Sequence, residues 1–439
     1  MMRSDNVREV PHLDALEQKA QLRGLVQTHS DPSLGAPSVA VSRLLPIEGL
    51  RAYLALWVVV CHALEASGYE AKAFTGLAKL ALMGSFAVHL FIIISGFVIM
   101  LALDKHRETY QQFIVRRFFR LFPVFIVLFI IAIPLSQVSL WNLTHVSQYL
   151  TSDQIQFRTD RLETWWANIH WNIPLHVLML HGVVPNSLFQ DAPGAFLIPA
   201  WSLSLEWQFY LVAPLVFAWA VSANSYRRLG LCGLCIVLIV AARYVLPTVE
   251  HGAALPFHVQ FFFLGAVSYF IYKRKAAHQL SDTAFPVACC LAVFLFGLRG
   301  NAGALIPIGL WVMFLGLLLE RSSSLSSRLV APLLTNPVVC YLGRISYSVY
   351  LSHFLVIIVI QCALLTWAPD LSQMAHLGVL VAGTTVASIA LSRMVYHYIE
   401  APGIHAGRAL ARRLVGQRQV GTQEGTSRSP VKVPSSSPS

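Results

Sequence analysis

Charge is what this sequence has little of. Of its 439 residues 12% are charged and 56% are hydrophobic. A soluble domain carries about 25% charged residues, so an ordinary water-soluble globule is excluded. Cysteine supplies no framework either: there are seven, an odd count, at no framework spacing. Cys232 and Cys235 form a CxxC inside an apolar helical stretch and read as a reduced, packed pair. Cys61 directly precedes His62. Neighbouring helical residues point about 100° apart, so the two make no thiol–imidazole dyad. No internal repeat is visible, which argues against a transporter built from two similar halves. Residues 1–43 lack the apolar core of a cleavable signal peptide, and Asp5, Glu9, Asp14 and Glu17 do not suit an organelle transit peptide. The first span is therefore expected to act as an uncleaved signal anchor.

What is present is a series of apolar runs. About 20 helical residues cross the hydrocarbon core of a bilayer. In lipid every backbone N–H and C=O needs an internal partner, which only helices or a closed barrel provide. The runs are continuous, not alternating, so the expected fold is all-α: a polytopic transmembrane helical bundle of about ten spans. They fall near 50–66, 83–103, 118–136, 201–221, 230–247, 256–272, 284–298, 303–319, 346–366 and 377–397. The short connections near 248–255 and 299–302 predict tight hairpins. The organisation reads as a polar N-terminal tail over 1–43, a membrane domain over 44–405, and a basic then Ser/Pro-rich tail over 406–439, disordered from about 415. The segment 137–200 is the one long loop expected, with Trp141, Trp165, Trp166 and Trp171 suited to a membrane-surface belt.

The net charge of +11 raises the question of nucleic acid. Its distribution answers it. With both termini in the cytoplasm, cytoplasmic segments hold 23 Lys and Arg and outer segments hold 5. That is the positive-inside asymmetry, and it needs no polyanionic partner. The expected location is a cell membrane, of bacterial inner-membrane type, with the lipid bilayer as the standing partner.

Ionisable side chains inside spans are costly and mark candidate sites. Arg51 and His62 lie eleven residues apart in the first span, so they share a face and differ by about 16 Å in depth. Glu206 lies five residues into the fourth span, about 7 Å from its outer end. His62 is at similar depth. A carboxylate beside an imidazole orients it and raises its basicity, which equips it to take a proton from a hydroxyl. The alternative is structural: His62 bonded to a carbonyl, Glu206 tying two helices. His353 sits near mid-membrane and fits either role. His170, His176 and His181 show no metal spacing and read as structural. Arg116, Arg117 and Arg120 open the third span. They are either topogenic or a phosphate clamp, because guanidinium forks match phosphate oxygens.

Six segments in order resemble the acyltransferase 3 family of membrane enzymes. I-E-G-L-R-A-Y-L-A-L-W-V-V-V-C-H (47–62) is similar to that family's Arg-x10-His signature. F-I-I-I-S-G-F-V-I (91–99) resembles its Ser-Gly-Phe helix, and R-R-F-F-R-L-F-P (116–123) its basic motif. W-S-L-S-L-E-W-Q-F-Y-L (201–211), L-G-R-I-S-Y-S-V-Y-L-S-H (342–353) and I-E-A-P (399–402) resemble the remaining three. Glu48, His89 and Ala401 depart from the usual pattern. The resemblance covers about 45–405. It implies O-acylation, often acetylation, of a carbohydrate or glycan hydroxyl, with acyl-CoA, acetyl-CoA as the expected case, as donor and no metal.

It also implies roles. Arg116, Arg117 and Arg120 would hold the CoA phosphates. His62, with Arg51 and Glu206, would form the catalytic set. Ser95, Trp201, Tyr350 and His353 would contact substrate. His62 would act as general base or carry the acyl group transiently, and the base role is the favoured one. Two other readings stand beside this: a transporter or flippase of lipid-linked sugars, and acylation of a small secondary metabolite. Oligomeric state is not legible in the sequence.

Overall fold

Lipid-compatible helices account for the fold. A computed structural model describes residues 44–70, 74–106, 108–244, 253–277, 305–319 and 325–426. In chain order the helices are α1 (Leu45–Ala66), α2 (Gly76–Ala81), α3 (Gly84–His106), α4 (Tyr110–His145), α5 (Ser152–Ala167), α6 (Ile169–Val177) and α7 (Trp201–Ala220). They continue as α8 (Ser225–Tyr244), α9 (Val259–Ala276), α10 (Leu305–Leu319), α11 (Leu325–Thr335), α12 (Pro337–Trp367), α13 (Gln373–Val395) and α14 (Ala401–Thr426). No strand occurs among the described residues.

Six of these segments are long and apolar enough to cross a membrane: Leu45–Ala66, Gly84–His106, Tyr110–His145, Ile198–Ala220, Pro337–Trp367 and Gln373–Leu414. The chain is a multi-pass helical membrane protein. Four of the ten expected spans are not among the six. Helix α8 carries Arg227, Arg228 and Arg243, and α9 ends on Lys273, Arg274 and Lys275. Helix α10 has 15 residues, fewer than the ~20 that cross a bilayer. The expected span 284–298 lies outside the described residues. So do most of one hairpin connection, 248–255, and the whole of the other, 299–302.

Local chemistry sets the helix limits. Thr109 caps α4 in a reciprocal box with Gln112, and Thr151 caps α5 with Gln154, so orphan N–H groups are met at both starts. Helix α4 tolerates Pro123 and Pro134 inside its length, as membrane helices do when neighbours meet the freed backbone groups. Between α13 and α14 the chain makes one π-helical turn, Tyr396–Glu400. Such turns often occur at functional sites. Helix α14 reaches Thr426, beyond residue 415 where the sequence predicts disorder. Once a helix is nucleated, each further residue adds a bond. Residues 427–439 lie outside the described residues.

Backbone-close packing joins α3 to α9. A Cβ on Gly265 would lie 2.0 Å from the Ile93 carbonyl oxygen, and one on Gly96 would lie 2.4 Å from that of Phe262. The glycine of the Ser-Gly-Phe segment is thus a packing residue, of the kind that lets membrane helices approach. At one end of this pair Tyr269 donates to Asp104, and Lys273 lies 2.7 Å from the same carboxylate.

The segment 137–200 is folded, not an open loop. It holds the end of α4, then α5, α6 and two short 3-10 turns. Trp165 is buried and donates to Asp191 at 3.0 Å, and Trp166 donates to Ser136 at 3.0 Å. Only Trp141 and Trp171 of the expected belt remain exposed. The two indole N–H groups found internal acceptors, which removed them from the surface. Cys232 and Cys235 are free thiols, the first exposed and the second buried.

Candidate active site

Among the described residues, two cavities carry charged side chains in their lining. One, of about 140 Å³, is lined by Arg51, Ser95, Arg117, Arg120, Glu206 and Tyr350 among others. The second, of about 370 Å³, is lined by His62, Glu65, Arg158, Trp165, Phe196 and Phe354 among others.

The arginine cavity divides the expected basic cluster. Arg116 is spent on Glu108 at 2.7 Å and does not line the cavity. Arg120 is ion-paired with the buried Glu400, whose second oxygen accepts from Ser348 Oγ at 2.6 Å. Arg117 has no carboxylate partner among the described residues. Its guanidinium lies over the rings of Phe113 and Tyr210, at 5.3 and 5.7 Å, and its Nε is buried without a hydrogen-bond partner. Arg51, on α1, likewise has no ion pair among the described residues. Ser346 Oγ lines the same cavity, buried and unpartnered. Arg51 and Arg117, without carboxylate partners among the described residues, share the cavity with this orphan hydroxyl and with one carboxylate, Glu206, a balance of charge that fits a site for an anion.

Glu206 belongs to this cavity. It accepts from Ser95 Oγ at 2.9 Å and from the Tyr210 hydroxyl. The expected pairing of Glu206 with His62 is therefore wrong. Depth along two helices does not fix which way each side chain turns, and Glu206 turns toward α3. Tyr350 also lines the cavity, its hydroxyl 2.9 Å from Ser202 Oγ. Trp201 lines neither cavity and lies against His258, centroids 5.6 Å apart.

The partner of His62 is His353 on α12. Nδ1 of His62 lies 2.7 Å from Nε2 of His353, and the rings are parallel within 3°. The proton positions follow from the far end of the chain. His353 Nδ1 lies 2.7 Å from the Tyr350 carbonyl oxygen. A carbonyl only accepts, so His353 Nδ1 carries the hydrogen. In a neutral ring its Nε2 then holds the lone pair, and His62 Nδ1 must donate to it. That leaves His62 Nε2 with the free lone pair. His353 is fully buried, whereas His62 is partly open and lines the histidine cavity.

A second carboxylate stands near that nitrogen. Glu65, one helical turn beyond His62, places Oε2 4.0 Å from His62 Nε2. Sequence reasoning passed over Glu65, although an i,i+3 spacing puts both side chains on one face. Arg158 closes the turn by donating to the Glu65 carbonyl at 2.8 Å.

The other three histidines singled out in the sequence sit apart. His176 and His181 stack at 4.0 Å beside Phe125 and Phe129. Nδ1 of His176 donates to the Asn172 carbonyl at 2.8 Å, and Nε2 of His181 to that of Ala200 at 3.0 Å. Burial pushes both below the ordinary histidine value, His181 to about 4. His170 is exposed beside Trp171.

Comparison with known proteins agrees with the motif order. A 201-residue stretch, 46% of this chain, is 28% identical to acyltransferase MdmB of Streptomyces mycarofaciens and covers 46% of it. A 341-residue stretch, 72% of the chain, is 24% identical to a protein of Staphylococcus aureus (strain COL) named by inference as an O-acetyltransferase, covering 51% of it. The chain spans about half the length of these curated relatives. No solved structure matches it. The profile of an acyltransferase domain matches residues 45–393, most of the chain, and the protein thus belongs to the acyltransferase 3 family.

Proposed function

We propose that the protein is a membrane O-acyltransferase that moves an acyl group, acetyl as the expected case, from acyl-CoA to a hydroxyl of a carbohydrate or glycan. The observation that carries this reading is the hydrogen-bond relay from the Tyr350 carbonyl through His353 to His62. It leaves a basic nitrogen facing a cavity large enough for an acceptor. The names of the two relatives, an acyltransferase and an inferred O-acetyltransferase, support the reaction class.

The chemistry follows from that nitrogen. His62 Nε2 takes the hydroxyl proton as the acceptor oxygen attacks the thioester carbonyl carbon. The tetrahedral intermediate collapses, the C–S bond breaks, and the thiolate leaves. His62 returns its proton to that thiolate. The buried relay holds the ring in one tautomer and one orientation throughout. Arg51 and Arg117 meet the phosphates of the donor, in place of the Arg116–Arg117–Arg120 set read from the sequence. Ser346 adds a donor hydroxyl in the same cavity.

The 23-to-5 division of Lys and Arg supports cytoplasmic termini in a cell membrane, with the donor drawn from the cytoplasm. Reporter fusions after 222–229 and 273–283 then read cytoplasmic, and one within 137–200 reads outside.

The test is acyl transfer by purified protein in lipid nanodiscs with no gradient applied. Label passing from acetyl-CoA to a saccharide ester is the expected result. Movement of a lipid-linked sugar with no acyl-CoA consumed supports the transport reading instead.

A further inference from the structure

We propose that Glu65 and His62 together recognise a 1,2-diol, so the acceptor carries a second hydroxyl next to the one that is acylated. This rests on the acyl-transfer reading and goes beyond it to the class of acceptor.

The geometry is that of two acceptors facing one space. His62 Nε2 and Glu65 Oε2 are 4.0 Å apart, and both residues line the histidine cavity. That separation is too long for a hydrogen bond between them. The relay makes Nε2 an acceptor, and the carboxylate is an acceptor by nature. A ligand that satisfies both must bring two O–H donors. If each hydroxyl oxygen lies about 2.8 Å from its acceptor, a 4.0 Å gap is bridged when the two oxygens sit about one hydrogen-bond length apart. Adjacent hydroxyls on a six-membered ring have that spacing in their gauche form. Hydroxyls on opposite ring carbons do not.

The other carboxylate oxygen, Oε1, accepts from Cys61 Sγ at 3.6 Å, and Arg158 ties the backbone of the same residue by donating to the Glu65 carbonyl at 2.8 Å. Phe354 meets the edge of the His62 ring, centroids 6.0 Å apart, and Trp165 and Phe196 line the same cavity. Aromatic faces of this kind cover the apolar side of a saccharide ring. A lone alcohol satisfies Nε2 and leaves Glu65 Oε2 to water, since Cys61 donates only to Oε1. A hydrogen bond to a charged group contributes about a 10- to 100-fold preference. The lower part of that range is expected, because the Glu65 side chain is 48% exposed.

The experiment needs no turnover. Full-length protein in nanodiscs is treated with diethyl pyrocarbonate, which modifies an imidazole nitrogen bearing a free lone pair, and modification of His62 is read by peptide mass spectrometry. The probes are trans-cyclohexane-1,2-diol, trans-cyclohexane-1,4-diol and cyclohexanol. At equal concentration the 1,2-diol slows modification about tenfold more than the other two. Glu65→Leu abolishes that difference, and Glu65→Gln keeps part of it because its amide oxygen still accepts. Equal protection by all three probes overturns the proposal. So does protection by none, or an undiminished 1,2-diol preference in Glu65→Leu. Selective protection in a protein that transfers no acyl group from acetyl-CoA instead supports the diol site and sinks the acyl-transfer reading.

Discussion

Nδ1 of His62 and Nε2 of His353 share one hydrogen bond of 2.7 Å across 291 residues of sequence. The bond ties α1 to α12 and fixes which nitrogen of His62 is basic. Replacing His353 therefore acts on His62. His353→Ala lowers turnover on the order of 10- to 10³-fold, a part of what general-base catalysis contributes. Apparent affinity for acyl-CoA stays near that of the parent. A fall in donor affinity with turnover preserved contradicts the relay.

The arginines separate cleanly. Arg117→Ala removes a charge-assisted contact to phosphate and raises the apparent KM for acyl-CoA roughly 10- to 100-fold with little change in kcat. Arg116→Ala shifts it far less, because that guanidinium is engaged by Glu108. Steady-state kinetics on both variants give the comparison. A larger effect at Arg116 places the phosphates elsewhere.

The buried Glu400 holds the partly exposed Arg120 in an ion pair at the π turn. Breaking a fully buried pair from one side costs roughly 3–5 kcal/mol, and the cost here is smaller, because the Arg120 charge left behind is 23% exposed to the cavity. Glu400→Gln lowers thermal stability accordingly. The double variant Arg120→Met, Glu400→Leu regains most of it, since apolar replacement of a buried pair is often neutral. Unfolding of the detergent-solubilised variants, followed by tryptophan fluorescence, is the measurement.

Acid acts through His181. Its folded value near 4 lies below the unfolded value of 6.5. Between these the unfolded chain binds a proton that the folded chain does not. Stability is complete above pH 6.5 and falls as pH drops toward 4, by on the order of 3 kcal/mol. His181→Gln keeps a donor for the Ala200 carbonyl and removes the titration. Its stability declines less over the same window, and His176, also held down by burial, contributes to the decline that remains. An unchanged acid limb excludes His181 as its source.

The sequence reveals depth better than direction. Apolar length and the paucity of charge give the helical membrane fold, and the motif order gives the family. Arg51 and His62, read from their spacing as sharing one face, line different cavities. Pairings across helices were not legible. Glu206 and His62 share a depth, yet Glu206 turns to Ser95 on α3 while His62 turns to His353 on α12. The basic cluster on α4 gave no sign of which arginine stays unpaired, because Glu108 and Glu400 are chosen by tertiary contact. Glu65 is legible in the sequence, three residues from His62 and so on the same helical face. Segment 137–200 read as a loop because its helices lack long apolar runs.

The central claim is that His62 Nε2 takes the acceptor's proton. The most direct measurement is acyl transfer by His62→Ala protein that is shown to be folded and to bind acyl-CoA with parental affinity. Turnover falls roughly 10²- to 10⁴-fold if His62 is the general base. Near-parental transfer by that protein contradicts the account.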